Sequence, residues 1–106
     1  MSLSNEASQE FSGNPTIRRL SGRGHAVGLD SPFTYSALLV YDAGGKLDAK
    51  TEKYMIQCDF LKADRTLTDD GKTLVELHTQ RGDRPYLWSQ DMVEKARSQP
   101  KLVMAA

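Results

Sequence analysis

Hydrophobic and polar residues alternate along three stretches of the chain, and the alternation predicts strands. In Phe33–Tyr41 aromatic or aliphatic residues occupy every second position. Polar residues lie between them in the first half of this segment. The same spacing occurs in Glu52–Leu61, and Thr73–Gln80 forms a third such run. A period of two places successive side chains on opposite faces, so each strand can lay one face on a core. We therefore predict an antiparallel sheet.

Turn sequences separate these stretches. Asp42–Gly45 lies between the first two, and Asp69-Asp70-Gly71 precedes the third. Glycine freely adopts positive φ, and Asp-Asp-Gly suits a short hairpin loop. The first two strands are therefore expected to pair directly. Thr16–Leu20 is interpreted as an irregular edge strand, because glycines follow it closely.

Ser89 marks the predicted start of one helix near the carboxyl terminus. Its hydroxyl suits an N-cap, and a short apolar stripe follows it. Strands followed by a helix indicate an α+β fold, here a small antiparallel β-sheet of about three to five strands with one C-terminal helix packed on one face. The predicted core comprises Tyr35, Leu39, Ile56, Phe60, Leu74 or Val75, Leu77, Met92 and Val93.

The length of 106 residues predicts one domain, which we place at residues 16–106 after a polar, flexible tail at 1–15. Fourteen basic and fourteen acidic residues cancel, so no overall charge attracts nucleic acid or a membrane. One cysteine excludes an internal disulfide, and no apolar run approaches the ~20 residues that span a bilayer. We expect a cytoplasmic protein with no membrane partner.

Residue types that carry catalysis are few. Cys58 and the two histidines, His25 and His78, show no close spacing of the kind that zinc ligands have. Cys58 is interpreted as a small buried hydrophobe and His78 as a surface histidine beside Glu76. The sequence therefore predicts no enzymatic activity, no metal and no cofactor.

Three arginines lie within six positions of one another with no acidic residue between them. Backbone amides near the glycines that adjoin them can form an anion-binding nest, although a solvated loop is the plainer interpretation. Tyrosines on an open sheet face would supply stacking platforms for bases. The candidate contacts for an anion, a nucleic acid or a partner are Arg18, Arg19, Arg23, His25, Tyr35 and Tyr54.

Three functions remain open at this point, and the one with the least support is a small enzyme that uses Cys58 or His78. The first is a small non-enzymatic protein–protein interaction module, a regulator or inhibitor of a larger enzyme or complex of the kind that phages and mobile elements encode. Its basis is small size, the lack of a catalytic set, and edge strands for pairing with a partner or, in a homodimer, with a second copy. The alternative is a single-stranded nucleic-acid-binding protein that uses the arginine cluster and the sheet aromatics.

Overall fold

The computed structural model describes residues 15–98, which form five helices. The helices are α1 (Pro15–Ala26), α2 (Ser31–Asp42), α3 (Ala49–Gln57), α4 (Asp69–Gln80) and α5 (Leu87–Ser98). The predicted tail lies outside the described residues except for Pro15, which opens α1.

The predicted α+β fold is wrong. Within residues 15–98 the only β-type pairing is an isolated antiparallel bridge between Leu61 and Leu67. The irregular edge strand predicted at Thr16–Leu20 is part of α1, and the predicted strand Phe33–Tyr41 is most of α2. The edge strands proposed for pairing with a partner or a second copy are therefore absent from this part of the chain.

Helix α2 lies at the centre of the fold, in contact with α1, α4 and α5. Asp30 starts it, because the Asp30 carboxylate accepts the Phe33 N–H at 2.7 Å and Pro32 occupies the first turn. Most of its side chains are buried on every side. A helix buried all round needs no polar face and so shows no helical period, which explains why α2 resembles a strand in sequence.

Helix α3 follows a glycine turn that connects two helices rather than two strands. Gly44 has a φ of 93°, which other residues adopt only under strain. Asp48 caps α3 by accepting both the Thr51 N–H at 3.2 Å and the Thr51 hydroxyl at 2.7 Å. The predicted strand Glu52–Leu61 is therefore the end of α3 and the turn after it.

Helix α4 begins where the second hairpin loop was predicted. The Thr68 hydroxyl accepts the Gly71 N–H at 3.0 Å, and Asp69 and Asp70 lie in the first turn. Acidic residues there interact favourably with the positive end of the helix dipole. The predicted third strand, Thr73–Gln80, is the rest of this helix.

The C-terminal helix is the one predicted element that is confirmed. It is α5, which begins two residues before Ser89 and packs on α2 instead of on a sheet.

Of the predicted core, Tyr35, Phe60 and Leu74 are buried, whereas Ile56 is 39% exposed. The remaining predicted core residues are only half-buried. The fully buried apolar residues that the predicted core omitted are Ile17, Leu20, Ala37, Leu38, Val40, Met55 and Leu61.

Candidate functional site

Apolar and aromatic side chains reach the surface where α5 begins. Leu87 is 76% exposed and Tyr86 is 40% exposed. The Trp88 ring lies 5.4 Å from the Phe33 ring and 6.2 Å from the Tyr86 ring, centroid to centroid. We call these four residues, Phe33, Tyr86, Leu87 and Trp88, the aromatic patch.

Ser36 of α2 holds the backbone of this patch in place. Its hydroxyl oxygen accepts the Tyr86 N–H at 2.9 Å, and its carbonyl accepts the Ser89 hydroxyl at 2.7 Å. Ser36 and Ser89 are fully buried. The start of α5 is thus fixed to the central helix, and a surface that is already ordered loses little conformational entropy on binding.

A cleft of about 180 Å³ lies beside the aromatic patch. Its walls come from the start of α2 and from the end of α4 with the connection to α5. The lining residues are Ser31, Pro32, Tyr35, His78, Arg81, Asp83 and Arg84. Two of them, Pro32 and Arg84, are close in sequence to the patch residues Phe33 and Tyr86, so the cleft and the patch adjoin.

His78 is the central polar residue of this cleft, and its prediction as a surface histidine is wrong. It is only 2% exposed, and its Nδ1 lies 2.7 Å from an Asp83 carboxylate oxygen. The Tyr35 ring stacks on the imidazole at 4.9 Å. The other ring nitrogen, Nε2, is buried and has no hydrogen-bond partner in the described part of the chain.

The arginine cluster of the sequence divides in the structure. Arg18 and Arg19 are exposed on α1. Arg23 instead donates to an Asp70 carboxylate oxygen at 2.7 Å and to the Cys58 carbonyl at 3.4 Å. Arg23 therefore links α1 to α4 and to the end of α3, and its guanidinium is engaged within the fold.

The other predicted contact residues are His25, Tyr35 and Tyr54. His25 Nε2 shares a hydrogen bond of 3.3 Å with the Ser31 hydroxyl, which joins the end of α1 to the start of α2. Tyr35 is 4% exposed. Tyr54 is half-buried on α3, with the Lys50 ammonium 6.0 Å from its ring centroid. An open face shared by Tyr35 and Tyr54, which the prediction required, is therefore absent.

Cys58 is buried, as predicted, at the carboxyl end of α3. Its thiol donates to the Arg23 carbonyl at 3.3 Å. Burial raises the pKa of this thiol, and the nearby Arg23 charge opposes that shift only in part. The thiol is thus kept protonated, which is unfavourable for a nucleophile.

The sequence interpretation missed both the patch and the cleft. Tyr86-Leu87-Trp88 directly after Pro85 is an apolar run at a helix start, and that signal was present in the sequence. The pairing of His78 with Asp83 had no comparable signal, because a spacing of five residues matches no standard motif.

No group of three or more metal-ligating side chains is placed to hold a metal among residues 15–98. No helix there has the length and apolar character needed to cross a membrane.

No protein-family model matches the chain, and no curated protein or solved structure matches it either.

Proposed function

We propose that the protein is a small non-enzymatic interaction module that binds a protein partner through the aromatic patch. The observation that carries this proposal is the 76% exposure of Leu87 between two aromatic residues. Exposed apolar side chains that occur together are typical of interaction sites, whereas single ones are ordinary. Tryptophan and tyrosine are also the residues most enriched at binding hot spots, together with arginine, which Arg84 supplies beside the patch.

The surface next to the patch supports the same proposal. An open groove of about 470 Å³ extends from Pro85 along α5. Its apolar residues include Leu39 and Val93, and its charged residues are Asp91, Glu94 and Arg97. An apolar centre with a charged rim is the usual composition of a protein–protein interface. The partner is expected to contribute an apolar segment that covers Leu87.

We extend the proposal to the biological role of the protein, as a regulator or inhibitor of a larger enzyme or complex. A protein that acts by binding changes the activity of its partner by occupying part of the partner's surface.

Affinity capture from an extract of the source organism tests the proposal. The tagged protein, Leu87→Ser and Ile56→Ser are compared with and without nuclease. Ile56 is a matched control because it is a 39% exposed aliphatic residue on α3, away from the patch. We expect a nuclease-resistant partner that Leu87→Ser loses and Ile56→Ser retains. Equal capture by the two variants, or no captured protein, contradicts the proposal.

A second measurement places the partner on the patch. Trp88 is the only tryptophan of the chain, so its fluorescence reports directly on this surface. Adding the purified partner, if it lacks tryptophan, should shift the Trp88 emission to shorter wavelength because the indole is removed from water. An unchanged spectrum on saturated binding locates the partner elsewhere and contradicts the proposal.

Single-stranded nucleic-acid binding, the alternative, has less support. Two of its components, Arg23 and Tyr35, are engaged within the fold. Arg18 and Arg19 are exposed on α1. If the captured material disappears with nuclease, the double variant Arg18→Gln, Arg19→Gln should flatten the salt dependence of binding by about 0.7 for each phosphate that is no longer neutralised.

A further inference from the structure

We propose that the aromatic patch is the contact surface of a two-fold symmetric homodimer, in which α5 of one copy lies antiparallel to α5 of a second copy. The proposal rests on the proposed function, because both require the patch to bind protein, and it names a second copy of this chain as the occupant. It differs from the homodimer predicted from the sequence, which required edge strands. The surface that pairs is the face of a helix.

Leu87 supplies the centre of the proposed contact. It is 76% exposed, and the rings of its neighbours Tyr86 and Trp88 stack on each other at 6.2 Å. When two such leucines cover one another, both lose contact with water, and this burial favours association. A two-fold axis at Leu87 brings the two leucines together, since an isologous interface places the same patch of both copies in contact.

The charged residues on the two sides of Leu87 have opposite signs. Arg84 precedes it in the connection to α5. Asp91 and Glu94 follow it by four and seven residues, which places them on the same face of the helix as Leu87. All three charged side chains are exposed, and the ion pairs within residues 15–98 involve other groups. Their charges are therefore available to a second molecule.

An antiparallel pair of helices turns this order of charges into an attraction. Rotation about an axis at Leu87 places the residues that precede it in one copy beside the residues that follow it in the other. Arg84 of each copy then lies near Asp91 of the other, and the symmetry forms this pair twice. A parallel pair would place Asp91 beside Asp91, and like charges in contact are unfavourable. The charges thus select the antiparallel arrangement.

The rest of the molecule does not oppose this pairing. Fourteen basic and fourteen acidic residues cancel, so two copies do not repel one another at long range. Leu39 and Val93 continue the apolar surface along the groove beside α5.

The length of α5 limits the strength of the dimer. Its twelve residues extend for about 18 Å. Stable interfaces bury about 800 Å² on each partner, and a contact along one short helix lies at the small end of that range. We therefore expect a micromolar, reversible dimer. Such a dimer leaves the patch available to another protein, which then competes with the second copy.

Sedimentation velocity of the purified full chain tests the proposal, at concentrations from about 5 to 500 µM. We expect a reversible equilibrium between monomer and dimer. Leu87→Ser should weaken self-association at least tenfold, because the apolar contact at the axis is lost from both copies. Ile56→Ser is the matched apolar control, since Ile56 is 39% exposed on α3, and it should leave self-association unchanged.

Two charge variants test the antiparallel arrangement. Arg84→Glu and Asp91→Arg should each weaken self-association about tenfold, because two attractive pairs become two repulsive ones. An equimolar mixture of the two variants should dimerise as well as the wild type. In that mixed dimer the new carboxylate at position 84 faces the new guanidinium at position 91, and the second pair keeps the original Arg84 and Asp91. Both residues are exposed, so the variants should fold normally, which circular dichroism checks.

Lys53→Glu is the matched charge control, since it makes the same change of charge as Arg84→Glu at an exposed site on α3. It should leave self-association unchanged. Equal weakening by these two variants, or a mixture that associates no better than either charge variant alone, overturns the proposal. Assemblies that grow beyond the dimer overturn the two-fold arrangement. A protein that stays monomeric up to about 1 mM also overturns the proposal.

The proposed function fails or stands by a different measurement. If the protein is monomeric but its capture of a partner depends on Leu87, the proposed function stands and the second copy is excluded as the occupant. If the protein dimerises as described and no other protein is captured, the dimer stands and the proposed binding of a different partner is contradicted.

Discussion

The carbonyl oxygen of Phe60 lies against Gly71 so closely that a Cβ atom at position 71 would overlap it. The same carbonyl accepts the Thr68 N–H at 3.0 Å, and the Phe60 side chain is fully buried. The first turn of α4 thus packs directly on the segment that follows α3. Glycine is needed at position 71 because a larger residue would not fit. Its backbone conformation is not the reason, since Gly71 does not have a positive φ.

Gly71→Ala should therefore destabilise the protein. The Phe60 carbonyl belongs to the backbone of a buried residue and cannot move freely, so we expect a loss of about 1–3 kcal/mol in the free energy of unfolding. Urea denaturation followed by circular dichroism measures it.

Gly22→Ala is the control for that substitution. Gly22 lies inside α1, and nothing lies within 4 Å of the position a Cβ would take. Alanine costs less backbone entropy in a helix than glycine, so a gain of roughly 0.5–1 kcal/mol is expected. If both variants are more stable than the wild type, the close contact between the Phe60 carbonyl and Gly71 is contradicted.

Two neighbouring residues of α3 should respond oppositely to truncation. Met55 is fully buried in the core, whereas Ile56 is 39% exposed. Met55→Ala should cost about 2–5 kcal/mol, because it leaves a cavity. Ile56→Ala should stay within about 0.5 kcal/mol of the wild type, as surface substitutions do. Urea denaturation of both variants decides this, and a strand at this position would give Ile56 the larger effect.

The start of α2 depends on the Asp30 carboxylate. Asp30→Ala removes the acceptor of the Phe33 N–H and should cost about 1 kcal/mol, the usual value for an N-cap. Asp42→Ala, at the other end of the same helix, is the control. An acidic residue is unfavourable at the negative end of a helix dipole, so this variant should be neutral or slightly stabilising. Thermal unfolding that ranks the two in the opposite order would contradict the capping role.

Stability should fall in acid partly because of Glu52. Burial opposes ionisation of this carboxyl, but hydrogen bonds from Tyr41 and Arg65 outweigh it and lower its pKa below the ordinary 4.5. A lowered pKa in the folded state contributes stability that is complete above 4.5 and is lost as the pH falls through the folded value. Glu52→Gln should therefore lose less stability than the wild type between pH 5 and pH 3. Urea titrations at each pH, with Glu76→Gln as the exposed control, check this.

The stability that Tyr41 contributes should be lost at high pH, which is the opposite of the pH dependence expected for Glu52. Burial, and then the hydrogen bond to Glu52 and its charge, raise the pKa of Tyr41 to about 12 despite the Leu47 N–H bond. A raised folded pKa gives stability that is complete below the unfolded value of 10.0 and is lost as the pH approaches 12. The chain has four tyrosines, so the difference between the ultraviolet titrations of the wild type and Tyr41→Phe isolates Tyr41. Tyr41 should ionise above pH 11 in the folded protein, and a midpoint near 10 in the difference titration would contradict this contact.

The sequence by itself located some of the boundaries between elements. Asp42–Gly45 was predicted as a chain reversal, and it does separate α2 from α3. Asp69-Asp70-Gly71, predicted as a hairpin loop, is instead the first turn of α4, so it marks where an element begins. Local chemistry is enough for this. Asp and Thr side chains form hydrogen bonds with nearby backbone N–H groups and Gly adopts positive φ, and neither effect needs a distant partner. The C-terminal helix and the burial of Cys58 and Phe60 also followed from the sequence.

Only the tertiary structure decided what lies between those boundaries. The same Asp and Thr residues suit a tight turn and a helix N-cap, so the caps at Asp30, Asp48 and Thr68 did not distinguish strands from helices. Phe33–Tyr41 is surrounded by three other helices, and that burial removes the polar face that would have revealed a helix.

The candidate sites depended on tertiary structure for a different reason. The cleft joins Ser31–Tyr35 to His78–Arg84, and Ser36 holds the patch at Tyr86 and Ser89. Residues some 50 positions apart meet only when α4 and α5 pack on α2. A pattern along the chain records periodicity and local capping, whereas such contacts arise from the packing of whole helices.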